Sequence, residues 1–147
     1  VESVLLRLDE SDSFDEVLAS IIAVKMVGSK IHISMPKSSN KECFSYLESV
    51  ENILFDKDDK LSRDDEVELP LLMSNVERVR YLNEENITKA IYEKTADNAQ
   101  YIARDKFVSH GRIELMHYYI EQSISDSYHR YGNLGISGFV NINKSIN

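Results

Sequence analysis

The chain has 147 residues and a formal net charge of −8, from 17 Lys and Arg against 25 Asp and Glu. That length fits one domain, whose core is large enough to need no disulfide or metal staple. The acidic balance argues against a general nucleic-acid binder and against direct contact with an anionic membrane surface. A single cysteine, Cys43, excludes an internal disulfide and a cysteine-rich zinc site. No apolar run approaches the ~18 residues of a membrane span. The longest, Val17 to Val27, is broken by Ser20 and Lys25. With no basic flank before an apolar stretch at the N-terminus, no signal peptide is visible, and a soluble cytoplasmic domain is expected. The opening residue, Val1, fits a processed start or a piece of a longer protein.

In chain order, Ser3 to Leu8 is a short apolar run that predicts a buried strand. Ser13 and Glu16 form a capping-box pattern. Phe14, Val17, Leu18, Ile21 and Ile22 follow at helical spacing, and Gly28 is placed to end the helix in a left-handed conformation. Lys30 to Pro36 alternates, with Ile31, Ile33 and Met35 against His32 and Ser34, and predicts a strand. Ser39 and Glu42 repeat the capping pattern before an amphipathic helix carrying Phe44, Leu47, Val50 and Leu54. The stretch from Asp56 to Glu68 holds seven acidic and three basic residues and is expected to be a solvated loop. Pro70 suits the start of a short helical turn through Met73.

Val76 to Leu82 fits either a helix or a strand; the βαβα rhythm favours a strand. A helix from Glu85 to Thr95 follows, then a strand at Tyr101–Ala103. The last helix is expected from Gly111 to Gln122, with Ile113, Met116, Tyr119 and Ile120 as its buried stripe. Four strands alternating with helices predict an α/β fold: an open, mostly parallel, Rossmann-like sheet with flanking helices, over residues 1–124. Residues 125–147 are expected to be an extended C-terminal tail.

A Rossmann-like rhythm invites a dinucleotide, and the test is a glycine-rich turn after the first strand. The turn here is Asp9-Glu10-Ser11-Asp12-Ser13, which has no glycine and three acids, so phosphate would be repelled. Cys43 sits beside Phe44 and reads as a packing thiol rather than a nucleophile. His110 and His117 lack an acid to complete a metal trio, and His32 is assigned to the surface. The Asp56-Asp58-Asp59 run lacks the glycine and terminal acid of a calcium loop, having Leu61 and Val67 in those places. A receiver-type phosphoacceptor fails because the strand ending at Leu82 is followed by Asn83 rather than Asp. No catalytic, cofactor-binding or metal residue is therefore assigned. Tyr128, His129, Arg130, Tyr131, Gly132, Asn133, Leu134 and Gly135 remain, a string that reads either as a frayed tail or as a docking segment rich in ring area and hydrogen-bond donors.

The run from Gly111 through Ser125, continuing from His129 to Gly135, resembles the conserved C-terminal motif of proline utilization A over about 25 residues. These are bifunctional enzymes joining proline dehydrogenase to L-glutamate-γ-semialdehyde dehydrogenase. Looser similarity extends over the rest of the chain, at Val4–Leu8, Arg78–Leu82 and Tyr101–Ala103. The resemblance implies a C-terminal domain similar to part of the aldehyde dehydrogenase fold, without activity of its own. It would cover the aldehyde dehydrogenase module upstream in the same polypeptide and help close the channel for the intermediate. FAD and NAD would belong to the parent, which would be cytoplasmic or peripheral on the inner membrane. The family's nucleophile lies in a Gly-Gln-x-Cys setting, whereas Cys43 lies in Lys-Glu-Cys-Phe, so no catalytic residue carries over. What carries over is Tyr128 to Gly135 as a contact with the rest of the enzyme. A stand-alone small-ligand-binding domain and a homo-oligomerisation module stay open as alternatives.

Overall fold

A computed structural model describes residues 1–120. Strand β1 (Ser3–Arg7) leads into helix α1 (Phe14–Met26) through the capping box read from the sequence. The Glu16 amide donates to Ser13 Oγ at 3.3 Å, and the Ser13 amide donates to the Glu16 carboxylate at 3.0 Å. Gly28 closes the helix at φ +76°, a conformation that costs glycine nothing. Strand β2 (Lys30–Pro36), helix α2 (Glu42–Ser49), the single turn α3 (Glu51–Leu54) and strand β3 (Lys60–Asp64) follow. The chain continues with helix α4 (Leu69–Met73), strand β4 (Arg78–Tyr81), helix α5 (Lys89–Asp97), strand β5 (Tyr101–Ala103) and helix α6 (Gly111–Met116).

The five strands form one open, all-parallel sheet in the order β3-β2-β1-β4-β5. The expected α/β class and Rossmann-like order are therefore present, with one strand more than the sequence suggested. Alternation along the strands feeds two cores. Val4, Leu6, Ile31, Ile33 and Met35 meet Val17, Ile21, Val24, Phe44 and Leu47 on one face, with Tyr118 from the end of α6. Leu5, Val79 and Tyr81 meet Leu69, Met73, Ile87 and Ile91 on the other.

Several local expectations are corrected. The acidic stretch predicted as a solvated loop contains β3, an edge strand paired in register from His32↔Lys60 to Pro36↔Asp64. An edge strand needs only one neighbour and tolerates charge on its free side, so its apolar pattern is weak. Asp59 anchors its entry, accepting from the Ile31 amide at 3.0 Å and pairing with Lys25 at 2.5 Å.

The second capping box does not form. Lys41 is the N-cap of α2, and Ser39 Oγ accepts from the Lys41 amide instead. The helix predicted from Glu85 divides into a 3-10 turn, Glu84–Asn86, capped by the Asn83 side chain, and α5, which starts after Thr88. The last helix is shorter than expected, and its inward face is reversed. Residues Ile113, Met116, Tyr119 and Ile120 are exposed, whereas Glu114 and Tyr118 are buried. The tail motif Tyr128–Gly135, and all of the chain after residue 120, lies outside the described residues.

Candidate functional site

In an open parallel sheet, ligands bind beyond the carboxyl ends of the strands, where the crossovers diverge. Here that point lies between β1 and β4, flanked by the turns after each. The turn after β1 uses its own side chains to satisfy its amides. The Asp9 amide donates to Asp12 Oδ2 at 2.7 Å, and the Ser11 amide to Asp9 Oδ1 at 2.9 Å. The Ser13 and Glu16 amides are taken by the capping box. Lys41 Nζ donates to the carbonyl oxygens of Glu10 and Asp12, drawing the turn onto the start of α2. Asn86 Nδ2 donates to Ser11 Oγ at 3.1 Å, joining the two turns across the switch point.

Asp12 is buried in this turn. Burial pushes its carboxyl up to about 6, against the opposing effect of the Asp9 amide hydrogen bond. A pyrophosphate would have to displace these carboxylates from the amides it needs, so the turn does not fit a dinucleotide.

The other polar residues weighed from the sequence are placed as follows. Cys43 is buried, and burial raises its thiol pKa, which disfavours the nucleophilic thiolate. His32 is half-buried rather than on the open surface. Its Nε2 lies 2.7 Å from Ser62 Oγ, and Ser62 donates in turn to Asp64 Oδ2 at 2.6 Å. Serine, not histidine, is the middle member of that row, the wrong order for a base-activated hydroxyl. Ser34 and Arg7 complete the row beneath β3: Ser34 donates to Asp64 at 2.7 Å and Arg7 donates to Ser34 at 3.0 Å. His117 lies 4.0 Å from both Asp105 and Glu114, and burial, aided by Arg80, lowers its pKa. Among the described residues no three His, Cys, Asp or Glu side chains are grouped to hold a metal ion.

The sequence reading missed the arrangement around α6. The side chains of Arg78 and Arg80 fall on the strand face opposite Val79 and Tyr81, and Arg80 is completely buried. Its Nε and Nη2 meet the Glu114 carboxylate at 3.1 and 2.9 Å. Nη1 donates to the carbonyl oxygens of Tyr81, Ala103 and Asp105. Tyr118 Oη donates to Glu114 Oε1 at 2.7 Å, and Ser20 of α1 donates to the same oxygen at 3.3 Å. Burial alone would raise the Glu114 pKa, but the Arg80 guanidinium overrides it and holds the carboxyl below the usual glutamate range. The signal for this was available: an arginine at an inward strand position requires a carboxylate on whatever covers it.

Arg78 works two residues away. Its guanidinium lies over the Tyr101 ring, 4.9 Å from the centroid, and Nη1 donates to the carbonyl oxygens of His117 and Tyr119. The turn after α6 is thus fixed to the sheet by its backbone. Ile113, Met116, Tyr119 and Ile120 face outward and leave 43% to 63% of their surface exposed. Together with Arg78, Tyr101, Asp105 and His117 they line a shallow groove of about 550 Å³. No family model matches this chain, and no curated protein is significantly similar to it.

Proposed function

We propose that this chain works by contact rather than by catalysis, as the C-terminal domain of a bifunctional proline-catabolic oxidoreductase of the proline utilization A kind. In this reading it covers the aldehyde dehydrogenase module of the same polypeptide and helps close the passage for the semialdehyde intermediate. FAD and NAD belong to the parent's upstream modules. The Tyr128–Gly135 motif is proposed to supply contact, since Tyr128 and Tyr131 offer ring area and His129 and Arg130 offer hydrogen-bond donors.

The observation that carries the reading is the turn after β1, whose amides at Asp9, Ser11, Ser13 and Glu16 already donate to the chain's own side chains. A Rossmann-like sheet whose first turn already occupies these amides favours a cover over a nucleotide carrier, and the resemblance at residues 111–135 is the ground for proposing the aldehyde dehydrogenase module as what is covered.

Two measurements test it. Calorimetric titration of the 147-residue chain with NAD is expected to give no heat of binding; tight binding would put the stand-alone ligand-binding domain first. In the full-length enzyme, Arg130→Ala, or deletion after Ser127, is expected to introduce a lag between proline addition and NADH formation. Unchanged coupled kinetics would overturn the cover role.

A further inference from the structure

The carboxylate that fastens α6 is fully engaged. Glu114 Oε1 accepts from Arg80 Nε, Tyr118 Oη and Ser20 Oγ, and Oε2 accepts from Arg80 Nη2 at 2.9 Å. His117, the C-cap of the same helix, has a side chain only 11% exposed. Its Nε2 lies 4.0 Å from Glu114 Oε2, and its Nδ1 lies 4.0 Å from Asp105 Oδ2. Both separations are too long for a hydrogen bond, so the neutral ring sits beside the network without joining it.

A proton on the ring changes this. An imidazolium has two N–H donors, and the carboxylates facing it are Asp105 and Glu114. Asp105 is largely exposed, where solvent screens the attraction. Glu114 is buried, and its Oε2 can turn to His117 only by leaving the Arg80 guanidinium. The other charged groups facing the ring are Arg80 and Arg78 of β4, which repel a further positive charge. Tyr118 stands edge-on to the ring, and burial raises its pKa, so its hydroxyl stays neutral.

We infer that His117 is a proton-operated release for α6: in mild acid the imidazolium competes with Arg80 for Glu114 and loosens the helix from the sheet. The direction follows from the surroundings. Burial and then Arg80 lower the ring's pKa from its ordinary 6.5; Arg78 adds to this, and Glu114 and Asp105 offset it only in part. A docked α6 therefore takes up the proton less readily than a released one. Its attachment is complete above pH 6.5 and weakens as pH falls through that value towards the lowered pKa of the docked ring. Glu114 takes up its own proton in a separate, more acid range, since its carboxyl is held below 4.5. The release is a property of this chain by itself and needs no neighbouring module.

Two measurements on the 147-residue chain test it. The first follows the His117 ring by NMR through a pH titration. A midpoint below 6.5 is expected, and one at or above 6.5 overturns the inference. The second follows site-resolved amide exchange, corrected for the intrinsic rate. Between about pH 7.5 and 5.5 the opening of α6 should rise, by at most about tenfold per pH unit for one proton, with no equal rise in α5.

His117→Gln removes the titrating ring and keeps the backbone carbonyl that Arg78 grips, so it should abolish the rise. His32→Gln is the control. That ring also has a pKa lowered by burial, but it bonds Ser62 of β3, and its loss should leave the rise in place. A flat α6 in the unaltered chain, an equal rise in α5, a rise that survives His117→Gln, or one abolished by His32→Gln overturns the release. If His117→Gln does not fold, the ring titration and the exchange of the unaltered chain decide.

Discussion

The two faces of the sheet solve the same covering problem with different chemistry. Over β1, β4 and β5, helices α4 and α5 and the turn at Ile87 bury Leu69, Met73, Ile87 and Ile91 against Leu5, Val79 and Tyr81. The buried Arg7 on that face bonds Ser34, the Asp64 carbonyl and Glu66 towards β3, none of them on α4 or α5. On the other face α1 and α2 bury aliphatic side chains in the same way, but α6 is held by a buried guanidinium–carboxylate pair. Helices α4 and α5 are held by area removed from water, which is non-directional and tolerant of small shifts. The α6 attachment is directional, since Arg80 and Glu114 meet side by side in one geometry, with Tyr118 and Ser20 on the remaining lone pairs. The comparison shows how α6 can be held in one position while its apolar residues stay outside.

Removing half of the pair should break that arrangement most severely. Glu114→Ala leaves Arg80 buried without its counter-charge and should cost about 3–5 kcal/mol of stability in urea denaturation. Replacing both partners by apolar residues, Arg80→Met with Glu114→Leu, should recover most of the loss, because it removes the uncompensated charge. A double variant as unstable as the single one would mean that the pair stabilises by more than mutual satisfaction.

Acid should separate the faces as well. The folded Glu114 pKa is held below its ordinary value of 4.5, so its contribution is present above that value and is lost as pH falls through the folded pKa. Site-resolved amide exchange, corrected for the intrinsic rate, should therefore show α6 losing protection on acidification before α5 does. Simultaneous loss would show that the two faces open as one unit.

The faces also differ in how far the sequence reveals them. Strand β1, helix α1 and strand β2 were legible because their signals are local: the Ser13/Glu16 box, the left-handed Gly28, and the alternation from Lys30 to Pro36. Strand β3 was not, since Leu61 is its only apolar residue and its place is decided by backbone pairing with β2 and by Asp59, not by burial.

For α6, the periodicity of Ile113, Met116 and Ile120 identifies an amphipathic helix but not which face turns inward. Arg80, thirty-four residues earlier, settles that by demanding Glu114. The same limit applied at the crevice. Three acids and no glycine in the turn were enough to disfavour phosphate, whereas the capture of the Asp9, Ser11 and Ser13 amides by particular carboxylates depends on a geometry that composition does not carry.

The smallest of these effects tests whether the α6 network is held by charge alone or also by its neutral members. Tyr118→Phe keeps the ring that fills the core beside α1 and removes only the hydroxyl that donates to Glu114 at 2.7 Å. A hydrogen bond to a charged group contributes about 1.5–3 kcal/mol, but Ser20 and Arg80 still reach the same carboxylate oxygen, so the loss should lie near the lower end of that range. The change should appear in the urea midpoint with the slope unaltered, and exchange should quicken in α6 but not in α5. A loss as large as that of Glu114→Ala would make Tyr118 an equal partner in the latch. No loss would place the whole directional attachment on the arginine and the glutamate, with the tyrosine serving the core by its ring alone.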